Sequence, residues 1–472
     1  MKQFLAISLC LLLAGNVYAQ DGFGDFDLGT GSEEEIDVSD VDTSANEGGF
    51  YGFIREELGY SPNKEELNWA KMRTTLNLTY DLGLGGDWKM RLNGNAFYDH
   101  AYSYNGEDHY SDETLEAYQS EAEARDVYLE GPLASWLQVK AGRQIIAWGQ
   151  SEVAQINDLA NPRDLRELGM IDIEDARIQV GAVKWAVMMG DVEWNLVTIH
   201  EFRPNKIPAE GSEFDFLAPM RSQATLLEAE DPEAKTEVLS RLFIPFNGGD
   251  LAFYWGNVYQ DQFVLAFESF NGATQEVTLK PVYEEIQSYG MAANRVWGSW
   301  LIRLEAAKKT GVPVQRNDLQ EQIMSNITGI IPPADYIYDS STGLAETYVK
   351  KDMVQGAMGV EFSGWSDWTF SLEGSMDRIL DYQENLQTKE TTGVGTAIVS
   401  HQAFNDTLTT RAIWFHFSDE NGDLYRMGTD YALMDGVNVG GGVVIYQEKK
   451  EDGLLYPFKD NDRVYLTGKF NF

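Results

Sequence analysis

Basic side chains at alternate positions are the residues of this sequence whose spacing could do chemistry. Two neighbouring runs alternate apolar and polar residues, and their polar positions include Lys71, Arg73, Lys89 and Arg91. Lys140 occupies the same kind of position in a later run. Every second side chain of a strand lies on one face, so we expect these cations to share the polar face of a sheet. Such a wall can attract and sort charged solutes, but it does not break bonds.

A segment of mixed charge follows Lys140 and could face these cations. Its polar residues are Asp158, Asn161, Arg163, Asp164, Arg166 and Glu167. A basic wall opposite such a loop sets up a transverse field in a pore and selects solutes by charge and size. Ordinary solvated or salt-bridged side chains explain the pattern equally well, and both interpretations stay open. We also predict a short helix that begins at Asn161-Pro162 and narrows or plugs the channel if it folds inward.

Catalytic and metal-binding patterns do not emerge from the sequence. The five histidines lack a recognisable partner spacing, and no nucleophile elbow, zinc-protease or phosphate-loop motif occurs. The single cysteine, Cys10, lies in the amino-terminal apolar run. We therefore predict no enzyme activity, no cofactor and no metal site. A net charge of −39 repels phosphate backbones and disfavours nucleic acid as a partner.

Three segments with different compositions divide the chain. Residues 1–19 combine Lys2, an apolar run and small residues before Gln20, which predicts a cleaved signal peptide. Residues 20–48 are acidic, contain no Lys or Arg, and predict a disordered periplasmic leader. Residues 49–472 contain the alternating runs. No apolar run after residue 20 is long enough to predict a membrane-spanning helix.

Hairpins with short turns on one side and long connections on the other dominate residues 49–472. Turns are predicted at residues 81–87 and at Gly131-Pro132, and long polar connections at 103–122, 204–236 and 310–350. This pattern predicts an all-β fold, a transmembrane antiparallel β-barrel of about 18 strands with short periplasmic turns and long extracellular loops. A count of 16 strands fits almost as well.

Aromatic residues support a position in a membrane. Tryptophans lie near predicted turns and strand ends, where their rings suit a membrane interface: Trp69, Trp88, Trp136, Trp297, Trp300, Trp365 and Trp368. The chain ends in alternating apolar residues that include Phe470 and Phe472. This ending resembles the carboxy-terminal assembly signal of bacterial outer-membrane proteins. The resemblance implies the cell outer membrane as the location and the barrel-assembly machinery as a partner.

One block carries a more specific resemblance. It contains Gly142-Arg143-Gln144, Trp148-Gly149 and Asn161-Pro162-Arg163-Asp164. These motifs resemble a porin-like outer-membrane family known only as a domain of unknown function. The family continues with a Pro-Gly-x-Glu-like element, where this chain has "LGMIDIEDARI". The resemblance implies a barrel found with RND-type transporters that handle hydrophobic or lipid-like cargo.

The expected function is that of a porin-like channel for passive movement of solutes, including hydrophobic or lipid-like compounds. Outer-membrane lipid and lipopolysaccharide are the expected surroundings. Two alternatives stay open at this stage. A plugged barrel would serve as a receptor, an adhesin or a partner of an export system, and a secreted soluble all-β binding protein would not enter a membrane.

Overall fold

A computed structural model describes residues 48–472 except 152, 155, 171–175, 222–223, 233–235, 272–275, 318–346 and 452. The predicted signal peptide and nearly all of the acidic leader lie outside the described residues. The strands are β1 Gly49–Tyr60, β2 Trp69–Gly85, β3 Trp88–Asp99, β4 Ser120–Ala134, β5 Leu137–Gln144, β6 Val180–Met189, β7 Val192–Ile199, β8 Ala224–Leu226, β9 Glu237–Phe246, β10 Gly249–Tyr259, β11 Val264–Asn271, β12 Glu276–Val282, β13 Glu285–Trp297, β14 Trp300–Gln315, β15 Tyr348–Trp365, β16 Trp368–Ile379, β17 Thr391–Ala403, β18 Leu408–Phe417, β19 Gly422–Met434, β20 Val437–Gln447 and β21 Arg463–Asn471.

Eighteen of these strands form one closed antiparallel sheet, which confirms the predicted barrel and its strand count. Each barrel strand pairs with its neighbours along the chain, and β1 pairs with both β2 and β21. The closing pair ends in two hydrogen bonds of 2.9 Å between the backbones of Gly52 and Phe472. Closure leaves no free sheet edge in the membrane, where an unpaired backbone group would cost several kcal/mol.

Alternation of side chains gives the barrel an apolar outer face and a mixed inner face. Leu92, Met358 and Leu372 point outward and are exposed. Inward positions carry both polar residues, such as Thr75 and Asn77 on β2, and apolar residues, such as Ala357 on β15. A soluble protein does not normally expose so extensive an apolar surface, whereas lipid covers it in a transmembrane barrel.

Short turns, the start of β1 and Phe472 share one rim, and the long connections share the other. Of the seven predicted interface tryptophans, six lie beside short turns, and Trp69 lies at the long-connection rim. The turn between β4 and β5 differs from the prediction: β4 continues through Gly131-Pro132 to Ala134, and Pro132 is paired with Gln138. This proline lies next to the register shift that ends the ladder, where a missing N–H donor is tolerated.

Small elements occupy the long connections. In the part of the chain that the structure describes, the helices are α1 His100–Asn105, α2 Asp112–Tyr118 and α3 Ala218–Arg221, and two 3-10 turns span Glu107–His109 and Tyr456–Phe458. Strands β8, β11 and β12 form a separate small sheet. Among the described residues, no helix is long and apolar enough to cross a membrane.

Candidate functional site in the barrel lumen

The predicted basic wall is divided between the two ends of the lumen. Lys71 and Arg73 lie near the start of β2, at the long-connection rim, whereas Lys89 and Arg91 lie near the start of β3, at the short-turn rim. All four have luminal positions. Because β2 and β3 are antiparallel, Arg73 is opposite Asp99 and Arg91 is opposite Asp81. Eight residues separate Arg73 from Asp81, or about 26 Å of strand.

At the long-connection rim, the basic side chains are paired with carboxylates of the wall and of a loop. Arg73 donates to Glu167 at 2.6 Å and to Asp99 at 3.3 Å. Lys71 also forms an ion pair with Glu167 and lies 3.7 Å from Glu57. Burial would raise the pKa of Glu167, but Arg73 and Lys71 outweigh it and hold this pKa below its usual range. At this rim the salt-bridged interpretation describes the contacts.

Nearer the short-turn rim, the lumen carries a looser polar network. Arg91 donates two hydrogen bonds to Asp81 at 2.8 and 2.9 Å. The Asn93 amide donates to Asn77 at 2.8 Å and to Thr79 at 2.7 Å. Most of these side chains are only partly buried. This part of the wall can therefore meet water.

Lys140 also lies in the part of the lumen nearer the short-turn rim, together with cations that were not predicted. Its ammonium lies 3.7 Å from the centre of the Tyr128 ring, and its strand partners are Glu130 and Lys184. Arg241 lies two strands beyond Lys184. The alternation around Lys184 could have identified it, because Lys184 stands between the outward apolar residues Val183 and Trp185. The signal at Arg241 is weaker, because Leu242 follows it but Ser240 precedes it.

The connection between β5 and β6 crosses the lumen to the opposite wall. On β14, the buried Glu305 carboxylate accepts backbone N–H groups of Gln150, of Ser151 at 2.9 Å and of Asn157 at 3.3 Å. The fifth barrel strand is β5 and the eleventh is β14, so the loop spans nearly the full width of the barrel. We call residues 145–179 the crossing loop.

A second wall carboxylate, on the thirteenth barrel strand, holds the same loop. Glu373 of β16 accepts the N–H groups of Val153 at 3.0 Å and Ala154 at 3.1 Å, and the Ser151 hydroxyl. Glu305 and Glu373 were not among the predicted site residues. Their luminal strand positions were readable from the sequence, but their loop partners were not.

Two of the predicted residues, Asp158 and Asn161, contact the two ends of the crossing loop. Asp158 accepts the Trp148 N–H at 3.3 Å and pairs with Arg177 at 3.0 Å. Asn161 accepts the Ile146 N–H at 2.7 Å and donates to the Ile178 carbonyl at 2.8 Å. These contacts join the two ends of the loop and give it a defined shape.

The predicted helix at Asn161-Pro162 is wrong. Pro162 accepts the Ile178 N–H at 2.8 Å, Asp164 donates to Ala176 at 2.7 Å, and Arg163 forms an isolated bridge with Arg177. These neighbouring segments take the backbone groups that a helix would have paired internally. Asp164 binds the Arg166 guanidinium, which also reaches Glu121 of β4 at 2.8 Å.

The motif residues have separate positions. Gly142 lies on β5 with a φ of 129°, and an added Cβ would come within 2.2 Å of the Val127 carbonyl oxygen. Arg143 points outward, and the Gln144 amide is buried and donates to the Ala182 carbonyl at 3.1 Å. Three further motif residues lie on the crossing loop. Trp148 and Pro162 are buried, and Gly149 is partly buried.

Apolar side chains fill part of the long-connection half of the lumen. Inward residues of β17 to β21 pack against residues of the connection between β7 and β9: Val394, Ile398, Ile413, Phe415, Phe417, Leu424, Val444, Tyr446 and Tyr465 against Phe214, Phe216, Leu217 and Met220. The run from Ala412 to Phe415 is apolar on both faces, because Ala412 and Trp414 alternate with the inward Ile413 and Phe415. That double-sided pattern is typical of a strand covered on both sides.

Comparison with known proteins identifies a family and several structures of similar fold. The family described as "Protein of unknown function (DUF1302)" matches residues 5–472. No curated protein matches the sequence.

Solved structures of similar fold include the outer-membrane protein OpdK from Pseudomonas aeruginosa, with 9% identity over 90% of this chain and 99% of that chain and a TM-score of 0.49. OccAB3 from Acinetobacter baumannii has 8% identity over 91% and 100% of the two chains, with a TM-score of 0.49. A loop-deletion mutant of OmpT from Vibrio cholerae has 9% identity over 90% and 99%, with a TM-score of 0.41. At these values the likeness does not bear on solute or mechanism.

Proposed function

Since this chain belongs to the DUF1302 family of unknown function and folds as a membrane-spanning barrel, we propose that it is a porin-like channel of the outer membrane. Small hydrophobic or lipid-like solutes move through it passively, and it catalyses no reaction. Export by a cleaved signal peptide and assembly by the barrel-assembly machinery accompany this proposal. A link to an RND-type transporter stays a prediction, as do contacts with lipopolysaccharide.

The crossing loop carries the proposal. It is held to the far wall by hydrogen bonds from its backbone to Glu305 and Glu373, and it therefore divides the lumen into narrower passages. The wall on one side is polar near the short-turn rim, and apolar clusters flank the loop nearer the other rim. A passage lined in this way suits an amphipathic solute better than a small ion.

The plugged barrel is the second candidate. It is favoured by the connection between β7 and β9, whose Phe214 and Leu217 are buried inside the apolar cluster. If both connections close the lumen, the protein would bind a partner or ligand without conducting. The secreted soluble alternative does not fit the exposed apolar outer face.

Planar-bilayer conductance of the purified protein distinguishes the two candidates. We expect small, stable current steps, because the crossing loop narrows an otherwise wide barrel. The Lys140→Glu variant should shift the ion selectivity several-fold toward cations, since Lys140 lies beside the polar part of the passage.

Lys308→Glu provides the matched control, because Lys308 is half-exposed and points outward. It should leave the selectivity unchanged. A protein that inserts into the bilayer but carries no current would support the plugged barrel instead. Equal shifts in both variants would remove Lys140 from the solute path.

A further inference from the structure

Strand β4 extends beyond its pairing with β5. Its first residue is Ser120, but its ladder with β5 covers only Val127 to Ala134. The chain leaves β5 at Gln144 and turns into the lumen as the crossing loop. The pairing of β4 with β5 therefore stops at Val127 and Arg143. From there to the long-connection rim, β4 has no β5 residue beside it.

An open groove lies on the outer face at this point, with a volume of about 550 Å³. Its apolar lining includes Ala124, Val127 and Val183, and Gly142 and Gly181 contribute no side chains to fill it. Val127 is exposed on the lipid-facing side. This volume falls in the range of about 300–1,000 Å³ that small-molecule sites occupy.

A guanidinium and a carboxylate close one end of the groove. Arg143 donates to Glu201, with one nitrogen–oxygen distance of 3.2 Å, and to the Ala124 carbonyl at 3.1 Å. Glu201 also accepts the Gly181 N–H at 2.9 Å. Both charged side chains are about one-third exposed, at 33% and 32%. The Arg143 guanidinium thus already binds a carboxylate at the edge of an apolar groove.

The floor of the groove borders an apolar part of the lumen. Ala182 lines the groove and is also part of the apolar cluster that contains Ile146 and Trp148 of the crossing loop.

From this geometry we propose that the groove binds a long-chain carboxylic acid dissolved in the outer leaflet. The alkyl chain lies along Ala124, Val127 and Val183, and the ligand carboxylate takes the place of Glu201 on Arg143. Glu201 keeps the Gly181 N–H as a partner. The site offers solutes a side entrance to the lumen, and this role, unlike the binding itself, rests on the proposed function.

Photolabelling tests the site. The full protein is reconstituted in phosphatidylcholine vesicles with hexadecanoic acid that carries a terminal diazirine, irradiated, and mapped by mass spectrometry. We expect labels to concentrate on peptides around Ala124–Val127 and Gly181–Val183. Ala124→Trp, which fills the groove, should reduce them several-fold. Ala306→Trp, an outward alanine on β14, is the matched control and should not.

The head group is tested separately. Hexadecanol with the same diazirine should label the wild-type groove several-fold less than the acid, and Arg143→Gln should abolish this difference. Val183→Phe replaces Ala124→Trp if that variant fails to assemble. Labels spread evenly over the apolar band, or equal labelling by acid and alcohol, would each overturn the proposal.

Current is recorded from the same preparations. Groove labelling without current would contradict the channel but leave the binding site. Current without groove labelling would contradict the site but leave the channel.

Discussion

At the residue scale, the buried carboxylates of Glu305 and Glu373 set the shape of the lumen. Each accepts several backbone N–H groups of the crossing loop. Hydrogen bonds to a charged acceptor contribute about 1.5–3 kcal/mol each, more than neutral ones. Two such residues can therefore help to hold a loop across the lumen, beside the packing of Ala154 and Ile156 of the loop against Ala307 and Ala357 of the wall.

Changing both carboxylates to amides should loosen the crossing loop. The Glu305→Gln and Glu373→Gln double variant keeps the size of each side chain but loses the charge and turns one acceptor oxygen into a donor. We expect larger and noisier single-channel currents in a planar bilayer, because the loop is no longer held to the wall.

Glu361→Gln is the control for this experiment. Glu361 faces the lumen and pairs at 2.6 Å with Arg303, which belongs to the wall and not to the loop. The Glu361→Gln variant therefore alters the luminal charge without removing a contact of the crossing loop. Identical currents in the double variant and in the control would show that the two carboxylates do not hold a constriction.

At the element scale, Glu167 attaches the second half of the crossing loop to β2. Its carboxylate joins Lys71 and Arg73, and its pKa is held below the usual range by these charges against the opposing effect of burial. A lowered pKa in the folded state means that ionised Glu167 stabilises the fold. That contribution is complete above the unfolded value of about 4.3 and is lost as the pH falls through the lower folded value.

We therefore expect the loop around Glu167 to stay protected from hydrogen exchange from pH 7 to about pH 5, because its carboxylate remains ionised there. Glu167→Gln should lose protection at pH 7, since Lys71 and Arg73 keep only Glu57 and Asp99 as partners. Hydrogen exchange followed by mass spectrometry on peptides of residues 161–170 measures this change.

The control is Glu210→Gln, because Glu210 is 57% exposed at its ion pair with Arg221. It should leave protection of the crossing loop unchanged. If Glu167→Gln is as protected as the wild type at pH 7, the ion pairs at this rim do not anchor the loop.

At the scale of the whole molecule, the last residue completes the wall. Phe472 exchanges two backbone hydrogen bonds with Gly52, and its ring lies 6.1 Å from that of Phe470, which points outward. The predicted assembly signal therefore coincides with the strand that closes the barrel. Its recognition by the assembly machinery stays a prediction.

Deleting Phe472 should lower the amount of assembled barrel in the outer membrane several-fold. The deletion removes both hydrogen bonds to Gly52 and the terminal aromatic side chain. The amount of folded barrel is measured from the heat-modifiable gel mobility of the protein in the membrane fraction. Phe404→Ala, at an exposed aromatic residue of a short turn, is the control. Equal amounts of folded protein in the wild type, the Phe472 deletion and the Phe404→Ala control would contradict a role for the terminal residue.

The sequence predicted the direction of the luminal side chains better than their grouping. Lys71 and Arg91 face inward as the period of two requires, yet they lie at opposite rims because their strands run in opposite directions. The helix at Asn161-Pro162 was predicted from local preference, but its backbone groups pair with other segments. Phe415 was missed as a luminal residue because a run that is apolar on both faces hides the alternation.

By itself, the sequence determined the barrel, its strands and its lipid-facing side, because these depend on a local period and on an apolar face that must meet lipid. Only the tertiary structure decided what the lumen contains. The crossing loop meets Glu305 and Glu373 about 150 and 220 residues further along the chain, and Arg143 meets Glu201 where β5 leaves the wall. Such contacts depend on closure of the whole sheet, which no local pattern records.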